Sequence, residues 1–280
     1  MLLNKKIFFL IIIIFSKCIF AQDISNKENF EGYSYFTVGS ETVSYKEKFG
    51  DIESDVDVTS MIINTGGLYV INKMFDFSID ALATFSPQIG DEIWTRAGNN
   101  IQKNKFEYTR ASTNVQLQYK YKPEIRFLLG PSFSYQVYKR YNVTALDELV
   151  NEINGVVEEN TTDLFIDAGI SYESNPVRNT QWRYSAKALI GYSVWNESRN
   201  TIFDGVKFSP SGYRYSLSAN ASYEIFTGVH TGLYAAYHYD KRNKDGGKRF
   251  IAKNGDKYDV TLPEADTTNI TVGLQVIWNL

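Results

Sequence analysis

A single cysteine, six prolines and two histidines among 280 residues leave several chemistries without raw material. Cys18 has no partner for an intramolecular disulfide, so packing and backbone pairing must hold the fold. No apolar run reaches the roughly 18 residues that a membrane-spanning helix needs. The longest, 7–15, is far too short. The net charge is −3, with no basic excess to mark a nucleic-acid surface. Histidine, the commonest acid–base group, occurs only as His230 and His238. Their spacing along one segment is not that of metal ligands, and Asp51, Asp55 and Asp57 lack a calcium-loop pattern. No metal or cofactor is expected.

Aromatic residues are abundant: 20 Tyr and 18 Phe bring the aromatic share to 15%. The first residues have the layout of a secretory signal. Lys5 and Lys6 are the basic start, 7–15 the apolar run, and Ala21 a small residue before Gln22. This predicts a cleaved signal over 1–21 and a mature chain over 22–280. The alternative is a lipoprotein signal acylated at Cys18, but Lys17 stands where such a signal needs a small residue. Removing 1–21 takes away Lys5, Lys6 and Lys17, so 29 basic residues become 26 against 32 acidic ones, and the charge moves from −3 to −6.

The mature chain is patterned with a period of two. Over 181–195, Trp182, Tyr184, Ala186, Ala188, Ile190, Tyr192 and Val194 alternate with Arg183, Ser185, Lys187, Leu189, Gly191 and Ser193. Such a segment is a strand with one face for lipid and the other for a polar interior, and its mean hydropathy stays mild. The whole chain averages −0.29. Similar segments predict strands near 30–45, 58–70, 74–86, 106–121, 125–140, 162–174, 181–196, 208–225, 228–240 and 266–280. Tyr33 and Tyr35 have the opposite parity to Phe36 and Val38, which predicts a bulge in the first strand. Short connections at 71–73, 122–124, 175–180 and 226–227 alternate with long polar ones at 46–57, 87–105, 141–161, 197–207 and 241–265. An even number of strands with loop lengths in strict alternation predicts an all-β fold: a ten-stranded antiparallel transmembrane β-barrel with short periplasmic turns and long extracellular loops. Several strands exceed what the hydrocarbon requires, so the barrel should extend beyond the membrane.

The chain ends Thr271-Val272-Gly273-Leu274-Gln275-Val276-Ile277-Trp278-Asn279-Leu280. Thr271, Gly273, Val276 and Trp278 fall where the C-terminal assembly signal of bacterial outer-membrane β-barrels has a polar residue, a glycine and two hydrophobic residues, and the segment resembles that signal. The resemblance implies the outer membrane of a Gram-negative bacterium, with its lipid, lipopolysaccharide and assembly machinery as partners. It implies no activity.

Alternation assigns Asp76, Asp80, Arg110, Lys120, Arg126, Asp167, Glu173, Arg183, Lys187, Arg214 and Glu224 to the lumen. A hairpin centred at 177–178 would set Glu173 against Arg183 and Asp167 against Lys187. Mixed charges in a narrow barrel predict a paired, plugged interior, whereas a polar pore is the alternative. His238 and Asp240, near the outer end of one strand, resemble the Asp–His pair of the omptin proteases. Here the order is reversed and no opposing aspartate pair is evident. Barrel lipid-modifying enzymes combine His with Ser, and no Ser here is placed by a motif. The expectation is a non-enzymatic surface barrel, with a narrow porin as the alternative.

Two loop features complete the reading. Thr144 as N-cap, a stripe of Leu146, Leu149, Val150 and Ile153, and Gly155 as stop predict a short helix over 144–155. Lys241, Arg242, Lys244, Lys248, Arg249, Lys253 and Lys257 outnumber Asp245, Asp256 and Asp259, giving a local charge of +4 suited to lipopolysaccharide or another anionic surface partner. Asn254-Gly255 predicts a hairpin turn there.

Overall fold

A computed structural model describes residues 32–146, 153–174, 181–252 and 255–280. The predicted signal and its cleavage point lie outside these residues. Thirteen strands run in chain order: β1 (Tyr33–Phe49), β2 (Ile52–Val70), β3 (Phe75–Ser86), β4 (Ile89–Arg96), β5 (Asn99–Lys120), β6 (Ile125–Ala145), β7 (Ile153–Glu173), β8 (Trp182–Asn200), β9 (Gly212–Phe226), β10 (Val229–Arg242), β11 (Asp245–Ile251), β12 (Lys257–Leu262) and β13 (Glu264–Asn279).

All pairings are antiparallel, and β1 closes the ring by bonding to β13 on one side and β2 on the other. The wall has ten staves, because β3 and β4 form one between β2 and β5, interrupted at Pro87 and Gln88. Proline has no N–H for the ladder. The Gln88 N–H instead donates to Ser60 Oγ at 3.1 Å. β11 and β12 form a separate hairpin.

The predicted first-strand bulge is absent: β1 keeps an unbroken register with both neighbours. Tyr33 and Tyr35 face the lumen, where their hydroxyls donate to Glu173 and Asp80, so they share the inward parity of the strand and no bulge is needed. A second change of pattern lies higher in the strand. In the lower part of β1, Phe36 and Val38 face outward and Thr37 is buried inside. Higher up, Val43 and Tyr45 are buried inside while Thr42 and Lys46 are exposed. Above the membrane the outer face meets water and the inside becomes an apolar core, so the pattern inverts without any change of register. The segments 46–57 and 87–105, expected as loops, are therefore strand over most of their length, turning at Gly50 and at Ala97-Gly98, with positive φ at all three.

The predicted helix is also replaced by strand at both ends. Thr144 belongs to β6, and Ile153 to Gly155 begin β7. The segment between, 147–152, lies outside the described residues. The strand predicted from 208 starts at Gly212, because Phe208 bridges to Ser198 and packs with Val206, Val260 and Leu262. A 3-10 turn at Thr201–Phe203 precedes this contact. A register shift between Leu164 and Phe165 leaves Val194 without a partner, so Val194 and Trp195 both face outward. Gly255 has φ 89°, as a hairpin turn requires; Lys253 and Asn254 lie outside the described residues.

The terminal strand keeps its predicted faces. Thr271 and Gln275 are buried inside, and Val276 and Trp278 are exposed outside. Gly273 faces inward against β1, where an added Cβ would lie 2.8 Å from both Val38 O and Thr37 Cγ2. A charge on the lipid face is costly in a way that one on the lumen face is not. Trp278→Asp should therefore reduce the yield of folded, heat-modifiable barrel well below that of Gln275→Asp. Equal yields would refute this assignment of faces.

Candidate functional site

The lumen is the place where functional side chains converge, and it is built in three tiers. At the short-turn end Asp76 is fully buried and takes Arg126 Nε and Lys120 Nζ, each at 2.7 Å. Arg126 also lies 3.6 Å from Glu173, which accepts the Tyr33 hydroxyl. Arg183 stacks over the Tyr33 ring at 4.2 Å and donates to Asn279 Oδ1 at 3.3 Å. Glu224 does not join this network; it accepts the Gly228 N–H at 2.8 Å and caps the turn.

The middle tier surrounds a cavity of about 150 Å³. Lys187 Nζ reaches Asp80 at 2.6 Å, and Asp80 also accepts the Tyr35 hydroxyl. Arg214 makes a forked contact with Asp167 at 2.6 and 3.1 Å, bonds to Ser132 and lies 4.4 Å over the Phe165 ring. Arg110 meets Glu41 at 2.5 Å, and Thr271 donates to the same carboxylate at 3.2 Å. His238 Nε2 lies 3.0 Å from Asp240.

The third tier lies on the long-loop side of this cavity, where β1, β5 and β6 continue outward. Tyr45, Phe106, Tyr108 and Tyr138 pack with Val43 and Val56 inside the wall, with ring centroids 4.7 to 6.3 Å apart. Arg140 passes among them, bonding Glu47 at 2.6 Å and Glu92 at 2.7 Å, and stands 5.1 Å over Trp94. Arg242 bonds Glu159 and lies 3.7 Å from Glu47. Burial acts to raise the Glu92 carboxyl, but Arg140 and Asn104 outweigh it and hold it below the usual range. Glu47 goes the other way: burial, with Glu159 nearby, raises it despite Arg140.

Nine of the eleven residues predicted for the lumen are joined in these ion pairs, Lys120 at the rim among them. Arg183 is held by Tyr33 and Asn279, the Glu173 carboxylate by Tyr33 and Arg126, and Glu224 sits at the turn. Both predicted hairpin pairings are replaced. Lys187 is opposite Ser171, and Asp167 is opposite Gly191, which centres the hairpin near 179 instead of 177–178. These shifts, two residues for Glu173 and four for Asp167, keep every face but change every partner. Glu41, Glu47, Glu92, Arg140, Glu159 and Arg242 escape the sequence reading. Inward parity continued along longer strands would have found them. Arg242, counted with the basic loop, is half-buried in the third tier, and Lys241 pairs with Asp266 at 3.0 Å. Among the described residues no group of His, Cys, Asp and Glu is arranged to hold a metal.

No protein-family model and no curated protein sequence matches the chain. Solved structures do. The outer-membrane protease OmpT from Escherichia coli superposes with a TM-score of 0.64, covering 92% of this chain and 99% of that one at 11% identity. OprG from Pseudomonas aeruginosa gives 0.36 at 10% identity, covering 88% and 96%. Neisserial surface protein A gives 0.31 at 12% identity, covering 87% and 96%. The likeness to OmpT is one of fold alone. The fold is that of the bacterial outer-membrane β-barrels.

Proposed function

We propose that this chain is a non-enzymatic outer-membrane surface protein whose lumen is its structural core and whose outer loops make the contacts. The observation that carries the reading is the third tier: aromatic rings and two arginines with their carboxylates fill the barrel on the loop side of the 150 Å³ cavity. The His238–Asp240 pair borders that cavity and is half-buried. On the outside, the β11–β12 hairpin presents Lys244, Arg249 and Lys257 with exposed Ile251 and Tyr258. Its inner face, with Phe250, Val260 and Leu262, is anchored on Phe203 and Phe208. A basic hairpin anchored outside the barrel wall suits the phosphates of lipopolysaccharide.

Planar-bilayer recording tests the closed lumen. Purified protein should give only small or irregular currents. Large, stable, ohmic steps would overturn the reading in favour of a narrow porin for small solutes.

A further inference from the structure

The ion pairs of the lumen leave two carboxylates over. Among the described residues, the other acids deep in the barrel each have an Arg or Lys within ion-pair distance. Glu224, also without one, sits at the short-turn rim. Asp163, on β7 and 5% exposed, meets only neutral groups, the Asn196 amide and the Ser134 hydroxyl at 3.4 Å. Asp240, on β10, has only His238. The two aspartates border one cavity of about 30 Å³, room for one or two waters. Asp240 also borders the larger cavity.

The charged groups acting on the pair come from three strands: Arg110 on β5, Arg214 on β9, and His238 and Arg242 on β10. Each arginine is already committed, to Glu41, Asp167 and Glu159 respectively. A buried carboxylate without a cation neutralises itself, and two carboxylates at one small cavity cannot both ionise cheaply.

We propose that Asp163 and Asp240 form a proton-binding site, in which the pair holds one proton on Asp163 while Asp240 serves His238. Loss of that proton places a second negative charge across the small cavity. Arg242 borders the same cavity and is two residues from Asp240, so it is the cation drawn in. It can move there only by leaving Glu159 and Glu47, which loosens the third tier.

The sign follows from linkage. In the folded barrel Asp163 is buried with no cation in reach among the described residues, so a proton held there is given up when unfolding returns the carboxyl to water. Its contribution is present in acid and is lost as pH rises.

The test is urea unfolding from lipid vesicles between about pH 5 and about pH 8, together with infrared spectra of the folded barrel. One proton lost on unfolding makes the folding constant fall by up to about tenfold per pH unit. Asp163→Asn should flatten that slope and remove one protonated-carboxyl carbonyl band. Asp240→Asn should move the slope to lower pH, because Asp163 then faces no second carboxylate. Asp167→Asn, at a paired acid, should lower stability throughout and leave the slope in place. A slope and band unchanged in Asp163→Asn would overturn the proposal. A wild type that conducts in bilayers while keeping the band would sink only the closed-lumen reading.

Discussion

Replacing Arg140 with alanine should destabilise the barrel by about 3–5 kcal/mol, the cost of leaving a buried charge without its partner. Arg140 bonds Glu92 through two nitrogens and Glu47 through one, and all three side chains are buried. Glu47 keeps Arg242 at 3.7 Å, so Glu92, left with the Asn104 amide at 2.6 Å, loses most. Arg140 is what overcomes burial and holds the Glu92 carboxyl low, so in wild type Glu92 stabilises the fold at neutral pH and ceases to do so in acid. The variant should invert this. With the arginine gone, burial dominates, Glu92 titrates upward, and acid should partly rescue stability by removing the orphaned charge. Urea midpoints at about pH 5 and about pH 8 distinguish the two behaviours. The same variant should also raise bilayer current, since the guanidinium lies within 6 Å of three aromatic rings that it holds in place. Lys46→Ala is the control: its pair with Asp55 is exposed on the outer wall and should matter little. Unchanged stability in Arg140→Ala would mean that water reaches the third tier.

The second large effect is expected from a single methyl group. Gly191 faces the lumen opposite Asp167, and an added Cβ would stand 2.2 Å from Asp167 Oδ1 and 3.0 Å from Arg214 Cγ. Neither neighbour is free to step aside, because each is buried and held by the other at 2.6 Å. Gly191→Ala should therefore break the Asp167–Arg214 fork and cost about 2–4 kcal/mol, somewhat less than deleting one partner outright. A double-mutant cycle makes the cause testable. In an Asp167→Ala background the obstructing oxygen is gone, and Gly191→Ala should then cost little more. Additive penalties in the double variant would place the effect in the backbone of β8 and leave the ion pair out of it.

The lipid-facing positions of β8, β9, β10 and β13 were legible from alternation alone, because a transmembrane strand must show apolar atoms to hydrocarbon every second residue. The same alternation sent Asp76, Arg126, Asp167 and Arg214 to the interior, and all four are buried. It misjudged 46–57 and 87–105, since outside the hydrocarbon the solvent requirement reverses and Tyr45, Val56 and Phe106 turn inward. Which charge meets which was not legible. Lys187 and Asp80 lie 107 residues apart, Arg140 and Glu47 lie 93, and both pairs span the lumen instead of a hairpin. A period of two fixes the face of a residue but carries no information about what stands across an enclosed space. The sequence by itself determined the ten staves within the hydrocarbon, their inner and outer faces there and the mixed charge of the lumen. Only closure of the sheet, with the register between staves and the width it sets, decided the ion pairs, the aromatic tier and the isolation of Asp163 with Asp240.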